Sequence, residues 1–421
     1  MTSNISYTLR NNICTGCGIC EGVCPSKAIR MNVIGGMFKP VVEESLCKNS
    51  KGCHLCYDAC AGLGVDLVGL SHKLFEDKDI QTNKYAGTYI SAYVGYSCDE
   101  HIRYHSASGG MVTQFLIWLL EKKIIDGAVV TRFNANASLK VETFIATTKA
   151  DMVSAKSSKY SPVTMNRVIE DIKSASGSKY VVVGLPCHIH SLQKLLQFDK
   201  ALRSKIFGLF SLFCSSSRTF YYTEYLMRER KIDLNSLSYL SYRERGCLGG
   251  LVAKGKDITG KEIDFYEDYM KYSHPLRSIF VPRRCLLCVD HYGELADISF
   301  GDIYVPPYSQ DKKGVNSVIV RSSEWNQLLM NAAEDGYIKL YSESIDKINE
   351  SQPSAYMKKE RNTGFIAFNK IFGRVVPDYG NMVAKGVSIN VIVKYAHNRI
   401  QQFVGGHKWL WWLIPILKAK V

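Results

Sequence analysis

Cysteines are the residues whose type and spacing point most directly to chemistry in this sequence. The 421-residue chain has 14 cysteines, and the first four follow the spacing C-x2-C-x2-C-x3-C-P. Short loops of this kind direct three sulfurs to one iron–sulfur cluster, while the fourth sulfur reaches a neighbouring cluster. These residues are Cys14, Cys17, Cys20 and Cys24.

A second run of cysteines repeats this pattern, with a longer first gap and Ala61 in the place of the proline. It consists of Cys47, Cys53, Cys56 and Cys60. Crosswise ligation groups Cys60 with the first three cysteines of the first run, and Cys24 with the first three of the second. We therefore expect two [4Fe-4S] clusters. Zinc is the alternative, although zinc sites usually use two Cys-x2-Cys knuckles.

A third candidate site begins with the pair Cys285 and Cys288 in "RRCLLCVD". Two upstream strands, "VVVGLPC" and "GLFSLFC", each end on a cysteine, Cys187 and Cys214. Ligands gather at the carboxyl ends of strands in open α/β sheets, so these four thiols could form one site. Alternatively, Cys187 and Cys214 are small buried hydrophobic residues.

The elements that must position these cysteines alternate between apolar strands and helices. Strand-like segments at 124–133, 140–148, 179–187 and 205–214 are interleaved with helical patterns at 109–123, 163–175 and 188–198. Continuous apolar strands alternating with helices predict an α/β domain with a largely parallel or mixed sheet. A β-meander is expected over 236–265, and a strand–helix–strand unit over 315–343.

Five ordered segments between residues 104 and 304 give the sequence a specific resemblance. They are "YHSASGGMVTQFLIWLLEKKIIDGAVV", "KSSKYSPV", "VVVGLPCHIHSLQKL", "LFCS" and "RRCLLCVD…ELADISFGDIY". Together they resemble the beta subunit of coenzyme F420-reducing hydrogenase and its dehydrogenase relatives. The resemblance implies FAD, a [4Fe-4S] cluster held by the third cysteine group, and hydride exchange with a deazaflavin. The N-terminal segment resembles a bacterial two-cluster ferredoxin domain, which is an α+β fold.

The resemblance also implies a set of flavin-lining residues. One turn would open a helix that holds a flavin phosphate, a second segment would line the flavin, and two strand ends would approach its ring and ribityl chain. In that order they are Ser108, Gly109 and Gly110; Ser158, Lys159 and Tyr160; Gly184 and Pro186; Gly301 and Asp302. Each has a structural alternative, since glycine pairs commonly start helices and a lysine can be a solvated surface charge.

We expect four regions along the chain. They are a two-cluster ferredoxin-type domain over 1–70, a linker over 71–88, a domain binding FAD and a [4Fe-4S] cluster over 89–345, and a helical extension with a Trp-rich tail over 346–421. The tail, "GGHKWLWWLIPILKAKV", is too short to span a bilayer but can lie in its interface. Docking on the protein's own core or on a partner is the alternative.

Charge and composition bound the partners. The formal net charge is +14, yet the chain has no Lys/Arg tract of five or more, so we do not expect nucleic-acid binding. The polar N-terminus lacks a signal peptide, and dense Cys-x2-Cys spacing fits a reducing compartment. These features predict a cytoplasmic protein, with peripheral membrane contact as one use of the tail.

The combined expectation is an iron–sulfur flavoprotein oxidoreductase. Its clusters would carry single electrons and FAD would couple them to a hydride carrier, with coenzyme F420 as the partner that the resemblance implies. A ferredoxin or another redox protein would exchange electrons with the clusters. Two alternatives stay open: a reductase of a glycan or lipid precursor, and a non-catalytic electron-transfer subunit of a larger complex.

Overall fold

The fold is known from a computed structural model, which describes residues 4–276, 278–380 and 386–418. Within the predicted C-terminal extension, residues 381–385 and 419–421 therefore lie outside the described residues.

Strands fall into one large sheet and three small ones. They are β1 Ile29–Ile34, β2 Met37–Val42, β3 Gln81–Asn83, β4 Gly87–Tyr89, β5 Ser91–Ser97, β6 Gly127–Phe133, β7 Val141–Ala146, β8 Tyr180–Gly184, β9 Ile206–Leu212, β10 Tyr239–Glu244, β11 Gly250–Lys256, β12 Glu262–Asp268, β13 Ile298–Asp302, β14 Asn316–Val320 and β15 Ile338–Ser342.

Helices pack on both faces of the large sheet and extend beyond it. They are α1 Ser6–Arg10, α2 Ile19–Gly22, α3 Leu55–Asp58, α4 Leu67–Leu74, α5 Glu100–Tyr104, α6 Met111–Glu121, α7 Lys149–Ser154, α8 Val168–Ser174, α9 Pro186–Leu196, α10 Lys200–Arg203, α11 Phe220–Glu229, α12 Tyr269–Tyr272, α13 Ser323–Glu334, α14 Ile345–Ser351, α15 Pro353–Tyr356, α16 Asn362–Ile371, α17 Ile389–Gly406 and α18 Ile414–Leu417.

The large sheet has eight strands in the order β15-β5-β14-β13-β9-β8-β6-β7. Its four central strands, β13, β9, β8 and β6, run parallel, and antiparallel strands complete both edges. The sheet is therefore mixed, which is the second of the two predicted forms. Parallel strands end at one edge, so the segments that follow β8, β9 and β13 meet there.

Side chains alternate between the two faces of this sheet, as the pleat requires. Val129, Val182 and Leu209 belong to the core beneath α8 and α9, whereas their neighbours Val130, Val181 and Phe210 belong to the core beneath α6 and α13. Both faces are covered, which explains the continuous apolar strands in the sequence. The predicted β-meander is the separate sheet β10-β11-β12.

The N-terminal segment is built onto the large domain. Ile13 and Ile19 of this segment share one continuous core with Ile169 of α8, Ile189 of α9 and Phe365 of α16. A shared core fixes how the segment sits on the sheet. The cysteine loops of residues 14–24 therefore have a defined position relative to the sheet edge.

The segment predicted as a linker, 71–88, is also folded. It contains the end of α4 and the hairpin of β3 and β4. The hydroxyls of Ser71 and Thr88 are both buried and lie 2.5 Å apart. Its polar composition resembled that of a linker because short polar side chains can be hydrogen-bonded inside a fold as well as solvated outside it.

Phe365 and Phe372 give a matched test of the role of α16 in the core. Phe365 is fully buried against Tyr395 of α17, whereas Phe372 follows the helix and is exposed. Phe365→Ala should lower the free energy of unfolding by about 3–5 kcal/mol because it leaves a cavity. Phe372→Ala should change it by about 1 kcal/mol or less. Anaerobic chemical denaturation measures both, and equal losses would contradict the shared core.

Candidate functional site

The first cysteine group lies in the loops around α2 and α3. Burial, followed by the nearby Cys60 and Cys17, raises the pKa of Cys14 to about 12. Burial likewise raises the pKa of Cys60 to about 11, followed by the influence of Cys17. Burial raises the pKa of Cys20 well above its usual value, with contributions from the other three thiols. The structure thus brings together Cys14, Cys17, Cys20 and Cys60.

Glycines shape the loop of this first group. Gly16 and Gly18 have φ values of 79° and 81°, in the left-handed region that favours glycine. A Cβ on Gly18 would lie 2.0 Å from Oγ1 of Thr164, so the loop also packs closely against the large domain. The two glycines in "CTGCGIC" are therefore required by both backbone conformation and space.

The second cysteine group lies on the outer side of the same segment. Burial raises the pKa of Cys56 to about 11; a hydrogen bond from the Ile5 backbone opposes this, and three neighbouring thiols add to it. Those neighbours are Cys24, Cys47 and Cys53. These three thiols are the ones that the crosswise grouping places with Cys56, and Cys56 also acts on the pKa of Cys20 in the first group.

The third group surrounds a cavity at the carboxyl edge of the sheet. Cys187 lies in the first turn of α9, directly after β8, and Cys214 follows β9. Both line this cavity together with Cys285, which lies within the 3₁₀ turn Arg283–Leu287, and Cys288, which directly follows that turn. Burial raises the pKa of Cys214 to about 12 and that of Cys285 in the same direction. Four thiols from three distant parts of the chain thus face one space.

The donor chemistry of all three groups fits an iron–sulfur cluster. Each group offers four cysteine sulfurs, the usual ligand set of a [4Fe-4S] centre. Thiols bind iron as thiolates, so bound iron would displace their protons. Among residues 4–276, 278–380 and 386–418, no three His, Cys, Asp or Glu side chains are arranged to hold a single ion.

A buried ion pair fixes the loop that carries Cys285 and Cys288. His190 Nε2 of α9 lies 2.8 Å from Oδ2 of Asp290, and both side chains are almost fully buried. Burial would raise the pKa of Asp290, but the hydrogen bond and charge of His190 hold it well below its usual value. The aspartate of "RRCLLCVD" thus anchors the loop to the helix that carries Cys187.

Two buried cations surround the third group. Nζ of Lys358, in the π-helical turn at Met357–Arg361, lies 3.4 Å from Sγ of Cys288 and donates to the Asp290 carbonyl at 2.7 Å. Arg284 donates to the carbonyls of Ala61 and Gly62, which follow Cys60. The guanidinium therefore connects the loop of the third group with that of the first. Sequence reasoning missed Lys358 because no cysteine motif surrounds it.

The first and third groups adjoin each other across α9. Cys17 is among the thiols that raise the pKa of Cys187, after burial and Cys214. One turn further along α9, Oγ of Ser191 lies 3.4 Å from Sγ of Cys17 and accepts a hydrogen bond from the Ala61 amide at 2.9 Å. One helix thus contributes a cysteine to the third group and contacts two loops of the first.

A separate polar region surrounds Asp302 at the end of β13. Arg243 lies 2.6 Å from Oδ2 of Asp302 and donates to the carbonyl of Ala107, also at 2.6 Å. The hydroxyl of Tyr304 donates to the same carboxylate. Asp302 also acts on the pKa of Tyr160, which burial raises well above its usual value. The structure thus places Tyr160 and Asp302, both predicted to line a flavin, in one region.

Lys159 is the half-buried cation of this region. Its Nζ donates to the carbonyls of Ala155, Lys156 and Ser157 at 2.6, 2.6 and 3.0 Å. Burial, followed by the charge of Lys156, lowers the pKa of Lys159 to about 7. No carboxylate of the described chain pairs with it, so its charge is uncompensated, although its three N–H donors are used by these carbonyls. Ser158, beside it, is also half-buried.

Packing accounts for the predicted phosphate turn without a ligand. The Ser108 hydroxyl donates to the Val315 carbonyl, and the Met111 amide donates to the Asn316 side chain. A Cβ on Gly109 would lie 2.8 Å from that same Asn316 oxygen, and Gly110 has a φ of 75°. The start of α6 is thus filled by the protein itself, which is the structural alternative for Ser108, Gly109 and Gly110.

The remaining predicted flavin contacts have mainly structural surroundings. A Cβ on Gly184 would lie 3.0 Å from Cβ of His188, so this glycine allows α9 to pack on its own strand. A Cβ on Gly301 would lie 1.9 Å from the ring of Phe213. Pro186 lines the cavity of the third cysteine group. These positions shape the sheet edge and lie apart from Lys159.

Comparison with known families agrees with the cysteine arrangement. The sequence model described as coenzyme F420 hydrogenase/dehydrogenase, beta subunit N-term, matches residues 92–170, and its C-terminus counterpart matches 177–345. A 4Fe-4S binding domain model matches residues 7–30. The chain belongs to the coenzyme F420 hydrogenase/dehydrogenase beta-subunit family. It is thus an iron–sulfur protein of an oxidoreductase family.

Relatives within this beta-subunit family are distant. The coenzyme F420 hydrogenase subunit beta of Methanococcus voltae is 25% identical over 303 residues, which cover 69% of this chain and 99% of that protein. The coenzyme F420-dependent sulfite reductase of Methanocaldococcus jannaschii is 23% identical over 379 residues, covering 85% of this chain and 52% of that protein.

One solved structure shares the fold. A chain of the F420-reducing nickel–iron hydrogenase complex from Methanosarcina barkeri superposes with a TM-score of 0.53 at 20% identity, over 73% of this chain and 98% of that one. At this identity the likeness concerns the fold alone. Lys358 lies beyond residue 345, where the beta-subunit match ends.

Iron content tests the third cysteine group. Three clusters of four irons correspond to about 12 iron atoms per chain after anaerobic reconstitution. Cys285→Ser should lower the iron content by about four atoms because it removes one ligand of one cluster. Cys98→Ser is the matched control and should keep the full content, since Cys98 belongs to none of the groups. Full iron in the Cys285→Ser protein would show that the pair is only two buried thiols.

Lys358 is tested by the reduction potential of the third cluster. Hydrogen bonds and positive charge near cluster sulfurs stabilise the added electron, so Lys358→Met should lower that potential while leaving the iron content unchanged. Lys339→Met removes an exposed lysine elsewhere and should change nothing. Potentiometric titration followed by electron paramagnetic resonance measures both variants. Equal potentials in the two variants would contradict the contact with Cys288.

Proposed function

We propose that this chain is the electron-input subunit of a flavin-dependent oxidoreductase, with coenzyme F420 as its hydride partner. The observation that carries the proposal is the continuity of three cysteine groups. The second group adjoins the first within the N-terminal segment, and the first adjoins the third across α9. The third lines a cavity that also includes Pro162 and Val163, two and three residues after Tyr160.

FAD is proposed for the region of Lys159 and Asp302. Flavins accept a hydride and release electrons singly, so FAD would couple a hydride donor to the clusters. Lys159 would balance the charge of a phosphate without a direct hydrogen bond, since its three N–H donors are used by backbone carbonyls and no carboxylate of the described residues pairs with it. Arg243 and Asp302 would orient polar groups of the cofactor, while the rings of Tyr160 and Tyr269 would exclude water. Ser108–Gly110 are not assigned the phosphate, because their polar groups are used within the fold.

Three side chains hold the first and third cysteine groups in place and supply positive charge beside the third. Ser191 and Arg284 hold the loops of the first and third groups against each other. Lys358 and Arg284 supply buried positive charge beside the third group, and positive charge offsets the negative charge of four thiolates. Four of these thiols are buried and the other eight are half-buried, so the protein also limits access of solvent and oxygen to any cluster bound there.

Coenzyme F420 is proposed as partner from the family to which the chain belongs and from the names of its relatives. The relatives from Methanococcus voltae and Methanocaldococcus jannaschii both have coenzyme F420 in their names. Partner subunits are proposed on the same ground, because the Methanosarcina barkeri structure is of a hydrogenase complex. A ferredoxin or similar redox protein would meet the chain at the second cysteine group, where half-buried Cys47 and Cys53 have exposed neighbours in the chain.

A second candidate function is electron relay without a flavin. The observation that favours it is the filled start of α6, where Asn316 and Val315 already satisfy the groups predicted to bind phosphate. In that case the chain would pass electrons between partner subunits through its three cysteine groups. Flavin content after reconstitution separates the two functions. A reductase of a glycan or lipid precursor would share the flavin and differ only in the hydride acceptor.

Cofactor release is the first test of the proposed function. Protein reconstituted anaerobically with iron, sulfide and FAD should retain flavin absorbance after gel filtration, and denaturation should release FAD. Reduced coenzyme F420 should then bleach the flavin, whereas NADH and NADPH should not. Protein that binds no flavin would contradict the proposal and leave the relay. Bleaching by NADH alone would contradict the choice of hydride partner.

Lys159 is tested by flavin affinity and its pH dependence. Lys159→Met should weaken FAD binding about tenfold or more, because a positive charge that balances the phosphate is lost. Lys149→Met, an exposed lysine on α7, is the control. In the parent protein FAD affinity should fall as pH rises through about 7, since Lys159 in the flavin-free protein loses its proton there. Unchanged affinity in the Lys159→Met protein would place the flavin elsewhere.

A further inference from the structure

The outer face of α17 is an unbroken apolar stripe. Tyr395, Asn398, Gln401 and Val404 of this helix are buried against the protein. On the opposite side, six exposed apolar residues recur at helical intervals from Ile389 to Phe403 over about 21 Å, with the exposed polar residues Asn390 and His397 on their flank. They are Ile389, Ile392, Val393, Ala396, Ile400 and Phe403. One face of this helix thus packs on the protein, and the other face presents apolar side chains to solvent.

The Trp-rich tail continues this stripe while being held by the protein. Leu410, Trp411 and Ile414 are buried, and Trp411 packs edge-on against Tyr225 and Phe280. These residues of the tail are thus docked on the protein itself, as the alternative interpretation predicted. They complete the hydrophobic core beside the sheet β10-β11-β12.

The other half of the tail points outward. Trp409, Trp412 and Ile416 are exposed, and Trp409 is linked to the stripe through ring contacts of His407 with Trp409 and Phe403. Docking of Trp411 thus orients its neighbouring tryptophans towards solvent. We call the exposed apolar residues of α17 together with Trp409, Trp412 and Ile416 the apolar ridge.

Exposed apolar surface is concentrated in this part of the chain. In the described ranges, eight large apolar side chains are more than 60% exposed, and seven of them belong to residues 371–416. The eighth is Ile258, in the turn between β11 and β12. Contiguous exposed apolar surface of this kind marks a binding surface, whereas single exposed residues are common on any protein.

Positive charge is concentrated in the same part of the chain. Residues 362–421 contain eight Lys and Arg and one Asp, a formal charge of +7, which is half of the total of +14 in one-seventh of the length. Ion pairs with Glu224 and Glu229 engage Lys408 and Lys418. Other residues of this charge, such as Lys370 and Arg374, flank the exposed pair Ile371 and Phe372. Cationic charge beside an apolar face is attracted to anionic surfaces.

We propose that the apolar ridge binds the surface of an anionic lipid bilayer. An amphipathic helix of this kind lies in the plane of the interface with its apolar face among the acyl chains. Tryptophan favours that depth, and lysine and arginine reach the headgroups. No helix of the described ranges is long and apolar enough to cross a bilayer, so the contact is with one leaflet. Excess positive charge favours lipid over a protein partner, since most protein surfaces are not uniformly anionic.

Vesicle binding by the full reconstituted chain tests this proposal without any redox assay. Sedimentation with phosphatidylcholine vesicles is compared with sedimentation with vesicles of equal parts phosphatidylcholine and phosphatidylglycerol. The parent protein should bind the anionic vesicles, and high salt should weaken binding because headgroup attraction is screened. The variant Ile400→Ser/Phe403→Ser/Trp409→Ser should bind about tenfold or more weakly.

Ile258→Ser is the matched control, because it removes an exposed apolar residue far from the ridge in sequence. It should bind like the parent, and iron content should be equal in all three proteins. Failure of the parent to bind anionic vesicles would overturn the proposal, as would unchanged binding by the triple variant. A parent that ignores vesicles but forms a dimer that the triple variant loses would show a protein contact instead. None of these outcomes depends on the flavin or on coenzyme F420.

Discussion

The arrangement of the whole site depends on α9. This helix begins directly after a central strand, with Pro186 in its first turn, where a missing amide hydrogen costs nothing. Cys187 then faces the cavity of the third group, and Ser191 touches Cys17 and the Ala61 amide one turn later. His190 holds the loop of Cys288 through Asp290. A shift of this helix would therefore move Cys187 relative to the loops of the first group and so change the distance between the first and third groups.

Electrostatics reinforce this geometry. Of the twelve cysteines in the three groups, four are buried and eight are half-buried, and thiolates in such surroundings are unfavourable without a compensating charge. Lys358 and Arg284 bring two permanent positive charges to the third group, and Lys194 donates to the Cys60 carbonyl beside the first. These cations come from α9, from the loop of the third group and from the C-terminal extension. The extension beyond residue 345 is thus part of the site and not an appendage.

Spacing was enough to predict much of this arrangement. The crosswise grouping of the N-terminal cysteines follows from the motif, and the third group follows from two apolar strands that each end on a cysteine. Both depend on local sequence and on the rule that parallel strands end at one edge. The mixed sheet, the meander and the strand–helix–strand unit were visible as periodicity for the same reason.

Tertiary contacts were beyond the reach of spacing. Lys358 reaches Cys288 from 70 residues away, with no motif around it. The Ser108–Gly110 turn looked like a phosphate site, but Asn316 and Val315 fill it from a distant strand. The tail looked uniformly apolar, and only the fold shows which of its residues are buried. In each case the partner lies far away in sequence, so no local pattern could identify it.

The location of iron in the folded protein tests the central claim most directly. Anomalous diffraction at the iron edge from anaerobically grown crystals should show three separate iron centres, one within each cysteine group. The centre surrounded by Cys187, Cys214, Cys285 and Cys288 should lie next to the centre held by Cys17, across α9. Iron confined to the N-terminal segment, or a third centre away from α9, would contradict a continuous path of three clusters.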